Sequence, residues 1–285
     1  MIVIGSRGSA LALAQARIVA DALGGDVEVR VIATTGDRSD QPLRELGDGV
    51  FVTAIEDALR AREIDIAVHS LKDLPTGEPA DLVVAAVPQR EDPRDVVITR
   101  ERHGVSSLRA GDRVGTSSRR REAFLTALVP GISCVEIRGN VDTRLRKVER
   151  GDYDATVLAA AGLRRLGVPF TEAEALPLAA CPPAPGQGAL AVQMRAEHPL
   201  LAHVRDALDD GPTHAAVDAE REVLRLLGAS CLLPLGVHAR VEADETIVDA
   251  ALASCGVVHR ARARGRDPRA VAREIAEAFG VLTHA

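Results

Sequence analysis

A chain of 285 residues and 30.1 kDa, 46% hydrophobic and 27% charged, has room for two or three packed domains and excludes a disordered or low-complexity protein. No apolar run approaches the ~18 residues of a membrane span, and Met1-Ile2-Val3-Ile4-Gly5 lacks the basic and apolar regions of a signal peptide, so a cytoplasmic protein is expected. A net charge of −6, from 35 basic and 41 acidic residues, with 2% aromatics and no Trp, disfavours a binder of nucleic acid or acidic membranes.

Ile2-Val3-Ile4 predicts a strand, and Ser9 an N-cap to an Ala/Leu-rich helix ending near Leu23. Val27 to Val31 alternates as a strand does. Val50 to Arg62 has helical spacing, and strands follow at Ile64 to Val68, Leu82 to Val87 and Asp95 to Ile98. A second cycle begins near Arg113: strand to Gly115, helix to Leu128, strand Cys134 to Ile137, helix Val141 to Arg150, strand Ala155 to Leu158. This order predicts α/β layers with mostly parallel sheets. Glu91-Asp92-Pro93-Arg94 reads as a hinge, and the breaker-rich Cys181 to Gly188 as a crossover before the strand Ala189 to Met194. Beyond Pro212 the pattern changes to a helix (Thr213 to Leu227), three successive strands (Leu235 to Val241, Ile247 to Leu252, Val257 to Arg262) and a helix (Pro268 to Phe279). The expected domains are 1–90 with 189–208, then 94–184, then a small α+β domain at 211–285 with a three-stranded antiparallel sheet.

Charge is uneven along the chain. Arg113 to Arg165 holds eleven basic residues against six acidic ones, within an acidic protein. Thr116-Ser117-Ser118-Arg119-Arg120-Arg121 sits where a strand enters a helix. Backbone N–H groups, hydroxyls and guanidinium forks there favour an anion, phosphate or carboxylate. Arg138-Gly139-Asn140 occupies the same kind of turn, with Arg144 one helical turn beyond Asn140. Parallel strands bring such turns to one sheet edge. His69-Ser70-Leu71-Lys72-Asp73-Leu74-Pro75-Thr76 follows a buried strand, where Asp73 either stabilises a cation and moves protons or merely caps a turn. Gly5-Ser6-Arg7-Gly8-Ser9 is neither a dinucleotide fingerprint nor a P-loop, and reads as a generic anion site. Cys134, Cys181, Cys231 and Cys255 form no C-x-x-C pair, so no metal site is expected. Cys231 alone lies in a breaker-flanked loop, where a reactive or a packing role is open.

Several stretches together resemble the porphobilinogen deaminase family. They are Gly5 to Gln15, His69 to Thr76, Arg90 to Asp95, Gly115 to Arg121, Arg138 to Leu145, Ala161 to Gly167, Pro185 to Ala189 and Cys231 to Gly236. They occur in the family's order, and the likeness weakens beyond residue 240. The resemblance implies two type II periplasmic-binding-protein-like α/β domains with a cleft between them, plus a small third domain. It implies a hydroxymethylbilane synthase, in which Cys231 carries a dipyrromethane cofactor through a thioether. Four porphobilinogen molecules are then condensed head to tail with loss of ammonia, and water releases the linear tetrapyrrole. Asp73 matches the catalytic aspartate. Lys72, Ser70, Thr116, Ser117, Arg120, Arg121, Arg138 and Arg144 match cofactor-binding positions. Arg7, Ser9, Arg138, Arg144, Arg165, Gln187 and Phe51 match substrate-binding positions.

The physical logic agrees. Six rings present twelve carboxylates, and burying them unpaired is prohibitive, so many fixed cations are needed. The resemblance also implies a cytoplasmic monomer with no nucleic-acid or membrane partner. One departure is the lid: Leu43-Arg44-Glu45-Leu46-Gly47-Asp48-Gly49-Val50-Phe51 is acidic where the family carries lysines, which leaves Arg44 as the cation available there. The competing reading is a non-catalytic solute-binding protein of similar fold, which gives Cys231 and Asp73 no task.

Overall fold

The computed structural model describes residues 1–34, 52–77, 79–228 and 233–283. Two compact units emerge: residues 1–90 with 189–214, and residues 91–188 with 215–285.

In the first unit, β1 (Ile2–Ser6) leads to α1 (Ala10–Leu23), β2 (Val27–Val31), α2 (Thr53–Arg60), β3 (Ile66–Ser70) and β4 (Leu82–Ala86). Later chain returns as β9 (Leu190–Arg195) and α6 (Leu201–Leu208). The strand order is β2-β1-β3-β9-β4. β1 is parallel to β2 and β3, so the carboxyl ends of β1 and β3 lie side by side. β9 runs antiparallel to β3 and β4, so four of the five strands point the same way, as the expectation of a mostly parallel sheet has it, and β9 alone is reversed. Ile4, Ile66, Val68, Val192 and Met194 pack against Ala16 and Val19 of α1. The Ala-rich face of that helix lets it lie close to the sheet. Ser9 caps it, its hydroxyl accepting from the Ala12 amide.

In the second unit, β5 (Asp95–Thr99), β6 (Arg113–Gly115), α3 (Arg119–Leu128), β7 (Ser133–Val135), α4 (Val141–Glu149), β8 (Ala155–Ala159) and α5 (Ala160–Arg165) form a sheet of order β5-β8-β6-β7. β6 is parallel to β7 and β8, and β5 is antiparallel to β8. α5 and α6 were not expected from the sequence. α5 is a single short stretch rich in small residues, and α6 offers only eight residues of pattern.

The same unit contains α7 (Gly211–Leu226) from residue 215 onward, then β10 (Leu235–Glu242), β11 (Glu245–Ser254), β12 (Val257–Gly265) and α8 (Pro268–Thr283). The three strands form an antiparallel meander, as their succession predicted. Val237, Ala239, Val248 and Ala263 alternate inward onto Val223, Val271, Ile275 and Phe279. The opposite face seals through Ala251 onto Phe124 and Cys181. Gly188 has φ +91°, and a Cβ there would lie 2.4 Å from the Glu91 carbonyl oxygen. Only glycine lets these two chain segments pass so closely.

Candidate functional site

In the first unit, chemistry collects at the carboxyl ends of β1 and β3. β1 delivers Arg7 and Ser9. β3 ends in His69 and Ser70 and passes into a 3₁₀ turn, Leu71–Asp73. Leu71 is buried and pins the turn, while Asp73 is exposed. Arg7, Ser9, Gln15, His69, Ser70 and Asp73 line one cavity of about 70 Å³, with Val52 and Val68 among its apolar walls. Four expected residues, Arg7, Ser9, Ser70 and Asp73, are thus brought together. Lys72 lies half-buried on the same turn.

Two further residues of this cavity were not singled out from the sequence. Gln15 is buried on α1 and donates through Nε2 to Ser70 Oγ at 2.8 Å. Its signal was a polar residue on the inward face of an otherwise Ala/Leu helix. His69 is buried, with Nε2 3.1 Å from Gln193 Oε1. Burial lowers its pKa to about 4; the Gln193 contact opposes this and the Arg7 cation adds to it.

In the second unit, three parallel strands place their carboxyl ends along one edge. β6 runs into Thr116-Ser117-Ser118, β7 toward Arg138-Gly139-Asn140, and β8 into α5 with Arg165 at its end. Ser118 caps α3, its hydroxyl accepting from the Arg121 amide. Ser117 Oγ donates to the Ile137 carbonyl at 2.8 Å, fastening the first turn to the second. Thr116 is buried, its hydroxyl accepting from the Ser118 amide. Arg138 is half-buried, with Nε 3.3 Å from Glu136 Oε1.

Arg144 and Arg165 are half-buried and bonded to backbone carbonyls, Arg144 Nε to Gly139 at 2.8 Å and Arg165 Nη2 to Gly188 at 2.6 Å. No carboxylate of the described residues lies in ion-pair range of either guanidinium. Both pKa values fall to about 10. Burial is the main cause for each; the Arg121 cation adds to it at Arg144, and Glu91 opposes it at Arg165. The described residues therefore hold two partly desolvated cations with no carboxylate counter-ion among them.

Arg120 and Arg121 are the opposite case, and the expectation that they present open forks is corrected. They are 5% and 8% exposed, and each places Nη2 2.7 Å from an oxygen of Asp95, itself fully buried. Arg120 Nη1 also donates to the Pro182 carbonyl, and Arg121 Nη1 to that of Val157. Gln187, expected at the substrate, is 1% exposed and donates to Asp95 Oδ1 at 2.9 Å and to the Pro93 carbonyl at 2.7 Å. Burial opposes ionisation of Asp95, yet the two arginines and Gln187 hold its carboxyl well below the usual range. The adjacent Cys181 thiol is pushed up to about 12, by burial first and then by Asp95, so it stays a packing residue.

Cys231 and Phe51 lie outside the described residues, as does the lid stretch from Leu43 to Phe51 with its Arg44, Glu45 and Asp48. The segment just after Cys231 is firmly seated. The Val237 amide donates to the Pro183 carbonyl at 2.9 Å, and a Cβ on Gly236 would lie 2.4 Å from the Pro182 oxygen. Buried Glu220 of α7 accepts from the amides of Gly186 and Ala239. The chain on the carboxyl side of the cysteine is thus tied to the crossover that also accepts from Arg120.

Among the described residues no cluster of three or more His, Cys, Asp or Glu is arranged to hold a metal ion, and no helix is long and apolar enough to cross a membrane.

Comparison with known proteins places this geometry. Residues 2–203 match the family model for the porphobilinogen deaminase dipyrromethane cofactor binding domain, and residues 214–280 that for the porphobilinogen deaminase C-terminal domain. The chain is 46% identical over 254 residues to the porphobilinogen deaminase of Roseiflexus sp. (strain RS-1), covering 87% of this chain and 84% of that one. It is 47% identical over 252 residues to that of Thermus thermophilus, covering 87% and 83%. The methionine binding protein MetQ has a TM-score of 0.42 and 13% identity over 72% of this chain and 89% of that one.

Proposed function

The chain belongs to the porphobilinogen deaminase family, and from that premise we propose how its own residues perform a hydroxymethylbilane synthase reaction. The single observation that carries the assignment is the pair of half-buried guanidiniums, Arg144 and Arg165, without a carboxylate from the described residues. Such cations are costly unless a ligand supplies the anion. A dipyrromethane bearing acetate and propionate groups fits that donor set. When bound through Cys231, it supplies the pyrrole carbon to which the first porphobilinogen is joined.

Within the second unit, Thr116, Ser117, Arg138 and Arg144 are assigned to carboxylates of the cofactor, and Arg138, Arg144 and Arg165 to those of porphobilinogen. Within the first unit, Ser70 and Lys72 are assigned to the cofactor, and Arg7 and Ser9 to porphobilinogen. Arg120, Arg121 and Gln187 act one step back. By clamping Asp95 they fix the start of α3 and so the Thr116-Ser117-Ser118 turn.

Asp73 has a different task. As the C–N bond of porphobilinogen breaks, its electron pair leaves with ammonia and positive charge develops on the pyrrole. An aspartate exposed at the cavity can stabilise that charge and then take up the proton lost from the ring carbon. Gln15 orients Ser70, and Leu71 anchors the turn, so Asp73 is presented on a rigid support. The reading includes a cytoplasmic monomer without nucleic-acid or membrane partners, supported by the net charge of −6.

Two measurements test it. Intact mass spectrometry should find the purified chain heavier than its sequence by two pyrrole rings, and Cys231→Ser without the increment; an unmodified mass in active protein contradicts the tether. Asp73→Asn should keep its fold and its adduct yet lose at least about 100-fold in turnover, the usual scale of acid–base catalysis. Near-normal kcat removes Asp73 from the mechanism.

A further inference from the structure

His69 has no role in the account above, yet a chain of hydrogen bonds defines its chemistry. Glu56 of α2 has a carboxylate oxygen 3.7 Å from the Arg60 guanidinium, and carboxylate oxygens accept hydrogen bonds. Gln193 Nε2 lies 3.0 Å from Glu56 Oε1. This settles which way the amide points: its nitrogen faces Glu56, so its oxygen faces the imidazole. Gln193 Oε1 is an acceptor, so His69 Nε2 must carry a hydrogen to make the 3.1 Å contact. In the neutral ring the remaining nitrogen, Nδ1, is then a bare acceptor. It has no hydrogen-bond partner among the described residues, and His69 is one of the residues lining the cavity that Asp73, Ser70 and Arg7 share.

The cavity, of about 70 Å³, is large enough to admit ordered water or a small polar group. A small polar head group fits. Among the described residues, the charged ones lining it are Arg7 and Asp73, with Glu56 set behind Gln193. A neutral acceptor beside a carboxylate suits an N–H cation.

We propose that His69 is a further substrate-binding residue of this enzyme, its Nδ1 accepting a hydrogen bond from the aminomethyl ammonium of porphobilinogen and orienting it as the leaving group. This rests on the function assigned above and deepens it. The nitrogen must keep its three hydrogens to depart as ammonia, taking the C–N electron pair with it. A base whose pKa is about 4 cannot strip a proton from an alkylammonium titrating near ~10, so His69 holds the leaving group without disabling it. Glu56 and Gln193 are positioning residues that lock the tautomer.

The test uses the holoenzyme with its cofactor load checked by intact mass. Long-range ¹H–¹⁵N correlation should show His69 neutral, with hydrogen on Nε2 and none on Nδ1, from pH 5.5 to 8. His69→Phe should lower kcat/KM for porphobilinogen about 10- to 100-fold, the scale of a hydrogen bond to a charged group. His69→Asn, which restores an acceptor, should recover part of the loss. Glu56→Gln, which frees the amide to turn, should change the tautomer populations and lower kcat/KM by a smaller factor. An Nδ1–H tautomer, or a folded His69→Phe enzyme with unchanged kcat/KM, overturns the proposal. If Asp73→Asn is inactive while His69→Phe is not, only this inference fails; if both are fully active, the assigned function fails.

Discussion

Two pairs of arginines in the second unit share a residue type and a sheet edge but live in opposite electrostatic surroundings. Arg120 and Arg121 are almost fully buried and share Asp95, each with a 2.7 Å ion pair. Arg144 and Arg165 are half-buried, rest on backbone carbonyls and have no carboxylate of the described residues. The first pair has its counter-ion within the fold. The second is the pair proposed above to hold the carboxylates of a ligand. Arginine at a strand-to-helix turn is therefore not by itself a sign of ligand binding; the counter-ion decides.

The comparison breaks most visibly at Asp95. Asp95→Asn leaves two buried guanidiniums without their anion, and removing one partner of such a group costs about 3–5 kcal/mol. Urea denaturation should show a loss of that order, and expression at 37 °C should suffer. The same carboxyl gives a signed pH effect. Its folded pKa lies below the ordinary carboxylate value of about 3.9, so the stabilisation is complete above that pH and fades only as pH falls through the folded value. Stabilities of wild type and Asp95→Asn measured against pH should converge in strongly acid solution. A constant gap would contradict the assignment.

Arg144→Ala and Arg165→Ala should behave in reverse. Removing a desolvated cation that has no carboxylate among the described residues should leave the urea midpoint unchanged or slightly raised, while turnover of porphobilinogen falls about 10- to 100-fold, as expected for lost hydrogen bonds to charged groups. The smallest effect belongs to Arg146, which pairs with Asp142 at 2.9 Å with both side chains more than half exposed. Arg146→Ala should shift stability by less than about 0.5 kcal/mol and leave turnover untouched, since solvent screens such pairs. This variant is the control for charge removal on α4.

Local signals in the sequence carried most of the fold. The runs Ile2-Val3-Ile4 and Val27 to Val31 became β1 and β2, and the three C-terminal strands arrived in antiparallel succession. The direction of β9 was not legible, because nothing within Ala189 to Met194 says which neighbours it will find. The strand expected at Cys134 to Ile137 is shorter and earlier, Ser133–Val135, since Ile137 turns into the core beyond the ladder. At the site, Arg7, Ser9, Ser70 and Asp73 were legible because each sits next to a strand end. The Asp95 clamp was not, because Arg120 and Gln187 reach it from 25 and 92 residues away. His69 was visible as a letter in a motif, but its tautomer depends on Gln193 and Glu56, which only the folded sheet brings to it.

The division between these two pairs of arginines is tested most directly by the mass of the enzyme during turnover. Arg144→Ala carrying its two-ring adduct would be mixed with porphobilinogen and sampled by intact mass spectrometry beside wild type and Arg146→Ala. Stalled species bearing one or a few added rings should accumulate in Arg144→Ala alone, with its fold intact. An identical progression of masses in all three proteins would mean that the half-buried guanidinium does not hold the growing chain.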